Sequence, residues 1–328
     1  PWTALNNKTV FITGGTGFIG SLIIRFLDYI NKKQQLNISI VSLARDMDKA
    51  RKIFGILPVT WIEGDICDLP LLPMNIHYIF HCAAVTASKQ MAEKPVAVAE
   101  GIVLGTTSIL KLAQLKNIES MVYLSTMEVY GKIESSEYIS EERLGEIDLF
   151  QPRSCYPIGK RMAETFCYSY FHQYRVPVKV ARLAQTFGPG ILEGDNRVFV
   201  QFANSVINQK DIILHTKGES DTNCCYVAEA IIALFQLLFQ GNNGEAYNIA
   251  NMETHMTIRD MAELVASVVA EGTISVKVEV DENNIHGFPP PQKLRLSSNK
   301  MNELGWHPKI GMEQMYRQLI AYMQLECS

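Results

Sequence analysis

What the chain has little of narrows its possibilities first. Among 328 residues no dense run of Lys or Arg occurs, and 30 basic against 34 acidic side chains leave a net charge of −4. Nucleic acid, whose binding rests on concentrated positive charge, is thereby set aside as the main partner. Long apolar runs are missing too, because the longest, Ala230–Phe239, is too short to cross a bilayer. No secretory leader is visible and no membrane association is expected. The seven cysteines (67, 82, 155, 167, 224, 225 and 327) are odd in number and mostly sit in apolar segments. That argues against a disulfide framework and for free thiols in a reducing, cytoplasmic setting. The vicinal pair Cys224-Cys225 reads as two buried small hydrophobes rather than a redox couple. No His/Cys spacing matches a zinc site, so no metal is expected.

What is present begins at Lys8. Thr9–Thr13 is an apolar, β-branched run that suits a buried strand. Gly14, Gly15 and Gly17 follow as a turn without Cβ atoms, where a phosphate can approach the backbone. Phe18, Ile19, Leu22, Ile23, Phe26, Leu27 and Ile30 then recur at helical spacing. The product is strand, glycine turn and helix, with the helix N-terminus aimed at an anion. The glycines are spaced G-x-x-G-x-x-G (Gly14, Gly17, Gly20), tighter than the common G-x-G-x-x-G. Gly14, Gly17, Phe18, Ile19 and Gly20 are the candidate dinucleotide cradle.

Strand-like runs at Ile38–Leu43, Val59–Ile62, Ile76–Ala84 and Ser120–Thr126, with a helix over Pro95–Lys116, continue the alternation. This pitch predicts an α/β fold with a doubly wound parallel (Rossmann) sheet. A smaller mixed α/β substrate lobe is expected on the C-terminal side. Residues 1–187 form the dinucleotide-binding domain, with returns at about 220–255, and 188–328 form mostly the second lobe. The second strand ends Ser42-Leu43-Ala44-Arg45, without the acid that usually meets the adenosine ribose. Ser42 and Arg45 instead suit a 2′-phosphate, which leans towards NADP, although Arg45 also reads as a solvated charge. Asp65, followed by Ile66, is placed either to meet the adenine or to cap a turn. Ala83 and Ala84 are small enough for the backbone to pass under a cofactor.

Tyr156 and Lys160 stand four apart on the helix expected from Cys155 to about Tyr174 and share a face. Bringing a phenol from its ordinary pKa near 10 to about 7 takes roughly 4 kcal/mol. An ammonium at ~4 Å supplies about that at an effective dielectric of ~20. Tyr156 then takes the proton of a substrate hydroxyl held by Thr126, while hydride leaves the same carbon for a nicotinamide.

Thr13–Gly20, Asp65-Ile66, His81–Ala84, Ser125–Gly131, Tyr156–Lys160, Arg182–Pro189 and Leu304-Gly305-Trp306 together resemble the extended short-chain dehydrogenases that modify nucleotide sugars. Within these, Ser125–Gly131, Arg153–Thr165 and Phe187-Gly188-Pro189 onward to Asp195–Val198 look most like UDP-glucuronate decarboxylases. The resemblance implies NAD as the default cofactor and oxidation of a sugar C4 hydroxyl. The resulting ketone acidifies C5 or lets a C6 carboxylate leave as carbon dioxide. It also implies catalytic roles for Thr126, Tyr156 and Lys160, and for Glu128 as base or proton carrier. Met127 stands where the 4,6-dehydratases carry a proton-donating Asp, which disfavours dehydration. Gln185 replaces a customary Asn at the sugar nucleotide, Ile102 falls near another, and Thr222–Val227 lacks a customary diphosphate Arg. Arg197 and Arg295 remain the candidate diphosphate partners. The family pattern further suggests a homodimer through Pro95–Lys116 and Pro157–Tyr174.

The favoured reading is an NAD(P)-dependent nucleotide-sugar decarboxylase or epimerase acting on a UDP-sugar, in the cleft between the lobes. Its alternatives are an NADPH-dependent reductase of a keto-sugar or other carbonyl compound, and a non-catalytic NAD(P)-binding regulator. The acidic stretch Glu134–Asp148 is expected to be a solvated loop placed to serve as a flap, and His286–Pro291 a proline-rich loop.

Overall fold

The computed structural model describes residues 2–133, 137–192, 194–280 and 293–326; His286–Pro291 and Cys327 lie outside them. Two compact units emerge. The first gathers Pro1–Gly131, Glu146–Arg182 and Ile231–Tyr247, and the second gathers Lys132–Gly145, Leu183–Ala230 and Asn248–Ser328.

In the first unit, strands β1 (Thr9–Thr13), β2 (Ser39–Ala44), β3 (Val59–Glu63), β4 (Tyr78–His81), β5 (Ser120–Thr126) and β6 (Val178–Leu183) build one sheet. Its seventh member is Ala246–Ile249, and the order runs Ala246–Ile249, β6, β5, β4, β1, β2, β3. β1 pairs in parallel with both β2 and β4, and β2–β3 and β4–β5 are parallel as well. Helices α1 (Phe18–Gln34), α2 (Met47–Phe54), α3 (Ser88–Glu93), α4 (Pro95–Lys116) and α5 (Cys155–Tyr174) fill the connections. β4 ends at His81, earlier than the sequence suggests, because Cys82–Ala84 leave the ladder and turn over the end of β1.

Both faces of the sheet are covered, so its strands read as near-continuous apolar runs. On one face α4 and α5 bury Ile102, Ile109, Leu110, Ala163 and Cys167 against Phe11, Ile79, Met121 and Tyr123. On the other, Phe80, Phe26 and Phe235 meet edge to face or tilted, with ring centroids 4.9–5.0 Å apart. α4 runs 22 residues and is, by length and composition, apolar enough to cross a membrane. Its buried positions Val98, Ile102, Ile109, Leu110, Leu112 and Ala113 belong to the core, while Val96, Leu104 and Leu115 are exposed.

The second unit has its own core, centred on Phe187 stacked on Phe199 at 4.5 Å and on Tyr316. Cys224 and Cys225 are fully buried in the short strand Cys224–Tyr226, as two small hydrophobes. Thr257 caps Ile258–Leu264 through a reciprocal capping box with Asp260. The acidic stretch departs from the solvated loop expected of it. Glu141 is buried and accepts from the Asn248 backbone N–H at 2.7 Å, while Ile139 bridges to Leu296. Burial pushes the Glu141 carboxyl up.

Candidate active site

The strand order reverses between β1 and β4, so a crevice opens beyond their carboxyl ends. Gly14 turns there with φ +67°, where a side chain is strained, and an added Cβ would lie 2.8 Å from the Ala83 Cα and N. A Cβ at Gly20 would strike the Gly14 carbonyl. The cradle is thus closed to side chains on both sides. Gly17 leads into α1 and no side chain caps that helix end. Thr13 Oγ1 accepts from the Ala83 N–H at 3.2 Å and lies 2.7 Å from His81 Nδ1, while His81 Nε2 reaches Thr106 Oγ1 at 3.1 Å. Burial, with the nearby Lys160 charge, lowers His81 to about 3, so the ring is a neutral tie between β1, β4 and α4.

The adenosine end differs from the expectation of a 2′-phosphate site. Ser42 is fully buried and donates to the Ile12 carbonyl at 2.8 Å, so its hydroxyl is committed inside the sheet. Arg45 is exposed and lies 3.8 Å from the Asp65 carboxylate. Asp65 also closes a turn by accepting from the Cys67 N–H at 2.8 Å. Ile66 packs against α4 at Gly105.

At the end of β5, the Thr126 hydroxyl lies beside the Tyr156 phenol and favours its ionised form. Thr126 Oγ1 also accepts from the Glu128 N–H at 3.2 Å, which fixes the turn Met127–Tyr130. Tyr156 is buried, and burial foremost pushes its phenol up, with the Glu128 charge adding to the rise. The Thr126 hydroxyl and the Arg153 charge pull the other way.

Lys160 is brought close to Tyr156 and is also tied to the strand beneath. Its Nζ donates to the Leu124 carbonyl at 2.7 Å and lies over the Tyr123 ring, 4.7 Å from the centroid. The Tyr156 ring centroid is 6.0 Å away. One helical turn aligns the two side chains, and the four-carbon stem lets the ammonium lie over the Tyr156 ring while it reaches the strand beneath. Burial lowers Lys160 to about 8 against the opposing pull of Glu164.

Arg153 joins the site although sequence spacing did not single it out. Its guanidinium grips Glu128 through two contacts, NH1 to Oε2 at 2.7 Å and NH2 to Oε1 at 3.1 Å. Burial works against that charge, but the hydrogen bonds and charge of Glu128 outweigh it and hold Arg153 above its ordinary pKa. Beneath the site, Ser125 donates to Glu164, which is clasped by Arg182 at 2.7 Å, and Arg182 reaches Tyr130 Oη at 3.1 Å.

Three expected substrate contacts fall in the second unit. Gln185 opens the short strand Gln185–Phe187. Arg197 is paired with Asp195 at 2.5 Å and lies over the Phe199 ring. Arg295 is exposed, 4.2 Å over the Tyr138 ring and hydrogen-bonded to its hydroxyl. Where relatives carry a diphosphate Arg, Asn223 is buried and spent on the Asn251 carbonyl and the Leu296 N–H. Ile102, near a customary Asn, packs instead against Gly159 of α5.

Comparison with known proteins accords with this geometry. The model of the NAD dependent epimerase/dehydratase family matches residues 10–250. The chain belongs to that family. It is 29% identical to UDP-glucuronic acid decarboxylase 1 of Xenopus tropicalis over 98% of this chain and 73% of the relative. It is 25% identical to human dTDP-D-glucose 4,6-dehydratase, over 96% and 89%. A Bacillus cereus UDP-glucuronic acid 4-epimerase, solved with UDP-glucuronic acid and NAD, shares the fold with a TM-score of 0.80 at 18% identity, over 97% of this chain and 99% of that one. NAD, the family's cofactor, fits the residues present. Gly14, Gly17 and Gly20 form a cradle that side chains would fill, and the adjoining helix end lacks a side-chain cap.

Proposed function

We propose that this protein is an NAD-dependent enzyme that oxidises C4 of a UDP-sugar, and that decarboxylation of a uronate is its reaction, with C4 or C5 epimerisation the nearest variant. The observation that carries the reading is the grouping of Thr126, Glu128 and Tyr156 at the carboxyl end of β5, with Arg153 forked onto Glu128. The likeness to UDP-glucuronic acid decarboxylases and the presence of Met127, which has no proton to give a departing hydroxyl, support decarboxylation over dehydration.

In this mechanism Thr126 Oγ1 orients the C4 hydroxyl and Tyr156 Oη accepts its proton. NAD, when bound, would supply a hydride acceptor, the positive charge of an oxidised nicotinamide, and the return of the same hydride to C4 at the end of the cycle. The 4-keto sugar allows the C6–carboxylate bond to break, with its electron pair delocalised onto the ketone oxygen, and protonation at C5 restores the ketone. Tyr156 stabilises that oxygen and gives its proton back to it as C4 is reduced. Glu128, on the same turn as Thr126, is positioned to move a proton at C5. The committed Ser42 hydroxyl and the Asp65 carboxylate beside Arg45 support NAD over NADP.

Mass spectrometry of small molecules released from the purified protein, followed by turnover of a nucleotide-sugar panel with UDP-glucuronate first, tests the reading. The expected result is bound NAD, released carbon dioxide and a UDP-pentose, with no net change in NADH. Stoichiometric consumption of NADPH would establish a reductase instead. Failure of UDP, dTDP, GDP and CDP alike to raise the melting temperature would remove the nucleotide sugar.

A further inference from the structure

We infer that Arg153 is a positioning residue that, alongside Lys160, sets the proton affinity of Tyr156 by cancelling the charge of Glu128. The inference rests on the proposed function only in taking Tyr156 as the proton acceptor.

Three geometrical facts carry it. Arg153 lies in the short turn Pro152–Ser154 that runs directly into α5, three residues before Tyr156. Its planar fork meets both carboxylate oxygens of Glu128, at 2.7 and 3.1 Å, a two-point fit that Lys cannot reproduce. Glu128 in turn is fixed at the end of β5 by its N–H on Thr126 Oγ1 at 3.2 Å, and its charge reaches Tyr156. A carboxylate within reach of a phenol that must ionise is an obstacle, because like charges oppose the second ionisation. The fork removes that obstacle while leaving Glu128 on the active-site turn.

Among the described residues, Tyr123 and Thr126 lie beside Tyr156 from β5, Glu128 from the following turn, Arg153 from the turn before α5, and Lys160 from its own helix. Lys160 also meets the Leu124 carbonyl and the Tyr123 ring. Arg153 acts on the phenol directly and through Glu128, and both charges are felt at Tyr156.

The test is a tyrosinate difference titration near 295 nm on the NAD-loaded protein between pH 6 and 12, with no sugar substrate present. Tyr156→Phe identifies the Tyr156 component. Arg153→Gln should raise its midpoint by about one to two pH units, a ten- to hundredfold loss of phenolate at fixed pH. Arg153→Gln combined with Glu128→Gln should bring the midpoint back to within about half a unit of the wild type. Arg153→Lys, which keeps the charge and loses the fork, should fall between, and guards against a fold defect in the Gln variant. An unchanged midpoint in Arg153→Gln, or a rise that the double variant keeps, overturns the inference. So does a wild-type titration identical to that of Tyr156→Phe. Because no sugar is used, a failure here is separable from a failure of UDP-glucuronate to turn over.

Discussion

Lys160 donates to the Leu124 carbonyl at 2.7 Å and lies 6.0 Å from the Tyr156 ring centroid, so the cationic end of the Tyr/Lys helix face is anchored to the sheet while it stays beside the phenol ring. Two sets of neighbours divide the site. Lys160 stands beside His81, Cys82 and the Tyr156 ring, and Tyr156 also has Thr126, Glu128 and Arg153 around it.

Replacement of the phenol tests that division. Tyr156→Phe should lower turnover of the best sugar nucleotide by about 10²- to 10⁴-fold, the usual worth of a positioned acid–base group. NAD affinity, measured by calorimetry, should remain within about twofold, because the cradle residues are untouched.

The cradle itself is exposed by Gly14→Ala. The new Cβ meets the Ala83 backbone at 2.8 Å, and φ +67° disfavours any L side chain. Backbone has no flexible end to give way, so a loss of about 1–3 kcal/mol of stability and at least tenfold in NAD affinity is expected. Thermal melts with and without NAD report both.

The Glu164–Arg182 pair is nearly enclosed, with side-chain exposures of 11% and 6%. Glu164→Ala strands the guanidinium in the interior and should cost about 3–5 kcal/mol in urea unfolding. Tyr130→Phe, which removes only one acceptor of Arg182, should cost about 1 kcal/mol.

Lys179 gives a pH signature. Its Nζ is buried on Ser120 Oγ at 2.8 Å, and burial lowers it from 10.5 to about 8. The unfolded chain therefore binds the proton more tightly between pH 8 and 10.5, and wild-type stability rises with pH in that window relative to Lys179→Met. Below pH 8 the full cost of the enclosed charge is present, so the variant gains most there, by about 1–3 kcal/mol. Urea midpoints of both proteins at pH 7, 8.5 and 10 measure the difference, in which the other titrating groups cancel.

Much of the first unit was legible because local periodicity and turn chemistry determine it. The limits of β1, β5 and α4 follow from apolar runs ended by glycine, threonine or an Asn C-cap, and Pro95 opens α4 where a proline is tolerated. Ser42 was misjudged because β2 is covered on both sides, so no alternation of polar and apolar residues revealed which face its hydroxyl takes. The Glu128–Arg153 fork joins residues 25 apart, and nothing in their spacing announces it. Glu141 looked like part of a solvated acidic loop until its buried backbone partner, Asn248, was in place from 107 residues away. In each case a distant segment supplied the deciding contact.

The last strand of the sheet, Ala246–Ile249, reaches its seat beside β6 only after the chain has travelled through Ala184–Glu245. As the chain leaves the ribosome, β6 must wait with one row of amides and carbonyls open while those residues are made. A pause or truncation in that interval would leave a sticky border available to another nascent chain. Expression yield should therefore depend on how promptly this late strand arrives.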